Sequence, residues 1–260
     1  MISRILAREF LAPSGVLRVG INLSNGLLVS SKDPIKGVAA SFAEILSTDL
    51  SKDSDPLDLQ LIAYEHPHLI CEAATSDCWD IALIGADPLR ETHITFTRPY
   101  CEIPATFMVR KEDSAKFRSL SDLDKDYAKI MAKKDGAYSL WLRQNLKHAT
   151  LLSQETLKES YEAFKSDISI DALAGLRSVM IEDMFKEPEY NRSDYTVLDT
   201  DFMSVQQAVA IRKKRVENDQ VNAFMVAEYL NNVIDRFLRQ KIIEDLIHLH
   251  KVNGKLLPSN

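Results

Sequence analysis

Short apolar runs alternate with amphipathic segments along all 260 residues, and this alternation limits the available folds more than any other feature of the chain. Residues 16–21, 57–64, 79–85, 105–110, 127–133, 149–152, 168–173 and 205–211 read as strands. Residues 36–50, 66–75, 120–124, 136–146, 155–164 and 222–250 read as helices. The first of these helices carries its stripe at 38, 42, 45, 46 and 50, and a further helix start is expected at Asp87-Pro88, an N-cap followed by proline. Such an order implies an α/β architecture on a mainly parallel sheet, or on two such sheets. Open sheets of this kind bind ligands beyond the carboxyl ends of their strands. Four loops are therefore the places to look: 22–26, 85–90, 134–138 and 174–177.

Composition narrows the function. Thirty-eight acids face 32 bases, a net charge of −6, and the longest basic cluster is Arg212-Lys213-Lys214-Arg215. That is the wrong balance for a phosphate-backbone binder, so neither a nucleic-acid partner nor an anionic membrane is expected. No run approaches the roughly 18 apolar residues of a membrane helix, so no membrane insertion is expected. Arg4, Arg8 and Glu9 interrupt what would be the apolar part of a signal peptide. The protein is expected to be cytoplasmic if Met1 is the native start, and periplasmic or extracellular only if a signal peptide has been removed. Glycine is scarce, with 8 residues, and no Gly/Ser or Pro linker divides the chain, so any two lobes must be joined by ordered crossovers.

Cys71, Cys78 and Cys101 lack CxxC spacing and read as reduced thiols. His66 and His68 flank Pro67 without the acids a metal would need, so no metal is expected. The absence of GxGxxG, GxxxxGK[ST] and GxSxG patterns leaves no cofactor implied.

Within the four loops a few residues suit a small anion. Arg90 follows Gly85 by one helical turn, at a helix N-terminus where a cation works against the dipole unless an anion offsets it. It is a carboxylate clamp or a surface partner of Glu91 or Asp87. Lys134-Asp-Gly-Ala-Tyr138 offers a second N-terminal nest, with Tyr138 either stacking on a ligand or packing between helix and sheet. Arg177 follows Ala174-Gly175 at a strand end, facing a ligand or solvent, and Asp171 sits within the same strand.

The segment Ile81-Ala-Leu-Ile-Gly-Ala-Asp-Pro-Leu-Arg90, followed by Phe96-Thr97-Arg98-Pro99-Tyr100, resembles the type II solute-binding proteins of polar amino-acid ABC transporters. Leu17-Arg-Val-Gly-Ile21, the helix from Gly37, Lys134 to Tyr138 and Asp171-Ala-Leu are similar to further parts of that family, and the likeness runs over residues 16 to 240. The resemblance implies a two-lobed clamshell, the type II periplasmic-binding-protein fold. Lobe 1 would hold 1–106 and 203–260, lobe 2 would hold 107–202, and the hinge crossovers would fall near 105–111 and 199–208. It implies a solute-binding protein that closes on a carboxylate-bearing, amino-acid-like ligand. Arg90 would grip the carboxylate. Gly85 and Asp87 would supply turn contacts from lobe 1, and Gly136, Ala137 and Tyr138 contacts from lobe 2; Asn22 and Arg177, placed in the strand-end loops by the pattern above, are the further candidate ligand contacts. A transporter or regulatory partner is implied with it.

Two positions depart from the family pattern. Leu176 stands where amino-acid-binding members carry an acid for the ligand ammonium, and Gly85 replaces the usual threonine. A ligand with two acidic groups, or without an amine, suits Arg90 plus Arg177, and Glu102 is the acid left for an ammonium. The rival reading is an enzyme on the same fold, a lyase resembling cyclohexadienyl dehydratase, with Glu102, Asp87 or Asp171 as catalytic general acid. Without an export signal, the fold would serve as an intracellular sensor, sequestering protein or enzyme.

Overall fold

A computed structural model describes residues 4–52, 54–186, 194–239 and 255–256. The chain divides into two compact units: the described residues of the first are 4–52, 54–102, 206–239 and 255–256, and those of the second are 103–186 and 194–205.

The first unit opens with α1 (Arg4–Leu11), β1 (Val16–Asn22) and a short hairpin of β2 (Ser31–Lys32) and β3 (Ile35–Lys36). It continues with α2 (Val38–Leu50), β4 (Asp58–Tyr64), α3 (Pro67–Ala73), β5 (Ile81–Gly85) and a 3-10 turn over Pro88–Thr92. Then β6 (Ile94–Arg110) carries the chain into the second unit. That unit holds α4 (Leu120–Leu123), β7 (Lys129–Lys133), α5 (Ala137–Asn145), β8 (Thr150–Gln154), α6 (Leu157–Ser166), β9 (Ala172–Leu176), α7 (Arg177–Lys186) and β10 (Tyr195–Val197). The chain returns along β11 (Met203–Arg212) to α8 (Lys213–Asn218), α9 (Gln220–Arg239) and β12 (Lys255–Leu256).

In the first unit β1 lies parallel between β4 and β5, and β5 pairs antiparallel with β11. In the second, β7 lies parallel between β8 and β9, and β9 pairs antiparallel with β6. The pairing is thus mixed rather than mainly parallel. Apart from the β2–β3 hairpin, the antiparallel pairs among the described residues involve β6 or β11, the two strands that pass from one unit to the other. All five residues of β5 are buried, as an apolar run covered on both faces requires. Trp79 closes one face, packing with Ile70, Ala82 and Ile84 and donating its indole N–H to the Ile70 carbonyl at 3.1 Å.

Several expected elements are displaced. Strand β6 begins at Ile94, not near 105, because Thr97, Arg98 and Pro99 hide the apolar pattern. Thr97 Oγ1 accepts a hydrogen bond from the Val209 amide at 3.2 Å, replacing with a side chain part of what a regular ladder supplies. Strand β9 covers 172–176, so Asp171 precedes it rather than lying within it. Residues 174–177 are no loop, since β9 runs directly into α7. The segment 4–11, read as interrupted by charge, folds as an amphipathic helix with Ala7 and Leu11 buried. The last helix is described to Arg239, and its expected continuation over 240–250 lies outside the described residues.

Helices α2 and α9 are joined by a buried carboxylate. Asp49, 3% exposed, accepts from Tyr229 Oη at 2.5 Å, from Arg236 Nη1 and Nη2 at 2.8 and 2.7 Å, and from Lys52 Nζ at 2.9 Å. Phe42 and Phe237 meet edge-to-face beside it, with centroids 5.4 Å apart. Burial alone would raise the Asp49 pKa, but the donors of Arg236, Lys52 and Tyr229 outweigh it and hold the carboxyl well below its ordinary value. A depressed folded-state pKa gives stability that is complete above the unfolded value, about 3.9, and is lost as pH falls below it. Asp49→Ala leaves the buried Tyr229 hydroxyl and the half-exposed Arg236 guanidinium without their acceptor and should cost about 1–3 kcal/mol in urea denaturation at neutral pH. The gap between wild type and variant should narrow as pH falls through the carboxylate range; a gap independent of pH would contradict this assignment.

Candidate functional site

Strands β1 and β5 run parallel, with Ile21 beside Leu83, so Asn22 and Gly85 leave the sheet at the same end. Asn22 Oδ1 accepts from the amide and hydroxyl of Ser24 at 3.1 and 2.8 Å, fixing the first loop as a tight turn. The second loop is set by Asp87, whose carboxylate accepts from the Leu89 amide at 2.9 Å and caps the 3-10 turn, as the Asp-Pro pair predicts.

That turn places Arg90. Its side chain is 6% exposed, and Nη1 donates to the Gly85 carbonyl at 2.5 Å. The guanidinium therefore folds back onto the end of the strand that precedes it. Burial pushes the Cys71 thiol on α3 above its ordinary pKa, while the Arg90 charge pulls it down and the nearby Asp87 pushes it up. Both loop charges are thus felt at α3.

Glu102 reaches the same strand end through Gln206. The Gln206 carbonyl accepts from the Ala86 amide at 2.6 Å, and its side-chain Nε2 donates to Glu102 Oε1 at 3.4 Å. Sequence reading missed Gln206, because its neighbours lie more than a hundred residues earlier and nothing local marks it. One end of the first unit's sheet therefore collects Asn22, Gly85, Asp87, Arg90 and Glu102.

In the second unit, Asp135 adopts a left-handed conformation (φ 54) and turns the chain from β7 towards α5. Gly136 is the N-cap of that helix, and its carbonyl accepts from the amides of Ser139 and Leu140 at 2.9 Å each. Tyr138, 7% exposed, packs in the core with Phe107 and Leu142, and burial raises its phenol pKa. A Cβ at Gly136 would meet the Tyr138 ring at 3.3 Å, so the glycine permits this close packing. Ala137 is buried in the same cluster.

Arg177 is committed to its own unit. It is 9% exposed; Nε and Nη2 donate to Asp201 Oδ1 at 2.8 and 2.5 Å, and Nη1 to the Leu198 carbonyl at 2.6 Å. Thr106 Oγ1 donates to the Leu198 and Thr200 carbonyls at 3.1 and 2.7 Å, so arginine and threonine together pin residues 198–201. Asp171 Oδ2 accepts from the Lys129 amide at 2.9 Å, which makes it a strand-end acid.

Among the described residues, no group of three or more His, Cys, Asp or Glu side chains is arranged to hold a metal. The rings of His66 and His68 stack with centroids 5.5 Å apart. No described helix is long and apolar enough to cross a membrane.

No family model and no curated protein sequence matches the chain. Solved structures do. A mutant of ArgBP from T. maritima superposes with a TM-score of 0.68 at 15% identity, covering 94% of this chain and 98% of its own. AbpA, an amino acid ABC transporter substrate-binding protein from Streptococcus pneumoniae bound to L-arginine, gives 0.68 at 19% identity, covering 94% and 97%. The ancestral amino acid-binding protein that is a precursor of cyclohexadienyl dehydratase gives 0.62 at 20%, covering 90% and 98%. The chain has the type II periplasmic-binding-protein fold.

Arg177→Ala should destabilise the protein by about 1–3 kcal/mol, because the Leu198 carbonyl and Asp201 lose their charged donor. If its task is to hold residues 198–201, any ligand-induced rise in melting temperature should survive the substitution. Loss of that rise, with stability unchanged, would return Arg177 to the ligand.

Proposed function

We propose that the chain is a solute-binding protein that captures a small carboxylate-bearing, amino-acid-like molecule without altering it. The observation that carries this reading is Arg90, a buried guanidinium fixed at the end of β5 by the Gly85 carbonyl. Arginine presents five N–H donors in a rigid plane, and anchoring one of them sets the direction of the whole fork. A carboxylate meeting that fork needs little reorganisation. The similarity in fold to an amino acid ABC transporter substrate-binding protein bound to L-arginine and to an ancestral amino acid-binding protein supports the same class of ligand. Delivery to an ABC transporter belongs to the proposal as its partner.

Leu176 and Glu102 bear on the ligand's other end. Leu176 offers nothing to an ammonium, whereas Glu102 is half-buried and tied by Gln206 to the strand end that holds Arg90. The ligand's amine, where it has one, is therefore assigned to Glu102. The same residue is the general acid of the rival lyase reading, which the fold likeness to the dehydratase precursor keeps in view. Asp87 is engaged in its capping bond and Asp171 in holding Lys129.

Incubation with a panel of amino acids and dicarboxylic acids, read by both thermal shift and mass spectrometry, separates the two. A binding protein raises its melting temperature and returns the compound intact; a lyase consumes it. Arg90→Ala should abolish the thermal shift while circular dichroism shows the fold retained, and equal shifts in both proteins would refute the clamp.

A further inference from the structure

A cavity of about 500 Å3 opens in the first unit at the opposite end of β5 from Gly85. It lies between α1, the turn before β5 and the start of α8, with Phe10, Asp77, Arg212, Lys214, Asp219 and Asn222 among its lining. Volumes of roughly 300–1,000 Å3 suit small molecules. This one is polar, and charges of both signs face it.

Its floor is built. Asp80, buried, accepts from Arg18 Nε and Nη2 at 3.0 and 2.8 Å and from Arg215 Nη2 at 2.9 Å. Asp77 bonds Arg18 Nη2 at 3.0 Å and also pairs with Arg212, yet its side chain remains 70% exposed. Three guanidinia thus face two carboxylates. Burial lowers the Arg215 pKa, with the Arg212 charge adding to it and the Asp80 and Asp77 carboxylates opposing it. Arg212 is buried, its carboxylate partner is the exposed Asp77, and its Nε has no hydrogen-bond partner among the described residues. Lys214 adds an exposed cation to the same wall. Opposing charge comes from Glu9, exposed on α1, and from Asp219, which caps α9 by accepting from the Asn222 amide and Nδ2 at 3.2 and 2.6 Å.

We propose that this cavity is a second binding site, for a small dipolar molecule whose carboxylate meets Arg212 and Lys214 and whose cationic end meets Glu9 and Asp219. Three lining cations, Arg212, Lys214 and Arg215, stand against three lining acids, Glu9, Asp77 and Asp219, so a guest of a single sign meets like charge and the arrangement favours a zwitterion of amino-acid size. The site stands independently of Arg90, which belongs to the other end of the strand.

The test uses the full chain dialysed against the standard amino acids at millimolar concentration, with succinate and putrescine as single-sign controls and retained compounds read by mass spectrometry. Wild type, Arg90→Ala, Lys214→Glu and the double variant are compared; Arg90→Gln replaces Arg90→Ala if circular dichroism shows the latter unfolded. The expected result is an amino acid still retained by Arg90→Ala protein and lost by about tenfold or more in the double variant. Failure of Arg90→Ala protein to retain any amino acid, or retention indifferent to Lys214→Glu in that background, overturns the second site. Retention of succinate or putrescine at the level of the amino acid overturns the dipolar assignment. Retention by Arg90→Ala protein together with none by Lys214→Glu protein supports the second site and removes the first.

Discussion

The functional reading depends on one buried cation. A guanidinium withdrawn from water must be met by acceptors, or it costs several kcal/mol. At Arg90 the first of these acceptors is the carbonyl of Gly85, the last residue of β5. Strand, turn and side chain form a closed local circuit: the strand ends, Asp87 caps the turn, and the turn returns the arginine to the strand. A side chain held in this way is a fixed feature of the sheet end, unlike a surface arginine that samples many rotamers. Such pre-placement is what recognition of a small carboxylate requires, since the entropy of ordering the receptor group has already been lost on folding.

Three carboxylates elsewhere in the molecule serve architecture. Asp49 fastens α9 to α2, Asp80 gathers Arg18 and Arg215, and Asp201 with the Leu198 carbonyl occupies Arg177. Each partner is distant in sequence and close in space. The four arginines that answer these acids lie on a strand and three helices, and they bind protein groups along the element packing. Burial alone therefore does not distinguish a ligand arginine from a structural one; its partners do, and whether those partners leave the charge facing the sheet end.

How much of this was legible in the residues follows the same division between local and distant causes. β1 and β5 were readable because an apolar run bounded by polar residues has few other fates, and the Asp87-Pro88 start was readable because capping is local. The first half of β6 was not, since Thr97 and Pro99 break the pattern and the compensating Val209 amide lies over a hundred residues on. β9 was placed a few residues early because Asp171 looks like part of the run, whereas it pairs with Lys129 on the neighbouring strand. Residues 174–177 read as a loop after the strand, whereas β9 runs to Leu176 and α7 starts at Arg177; Gly175 lies under the Met180 side chain, where a Cβ would come within 2.7 Å. At the candidate site, Asn22, Gly85, Asp87 and Arg90 share a sheet end that strand order predicts. Gln206, which brings Glu102 to it, arrives by an antiparallel return that no local signal announces.

The most direct test is a crystal structure of the protein with a retained amino acid or dicarboxylic acid. The account requires a ligand carboxylate within hydrogen-bonding distance of the Arg90 guanidinium, with the Gly85 bond preserved. A ligand seated in the protein with its carboxylate on other groups, and Arg90 untouched, would contradict it.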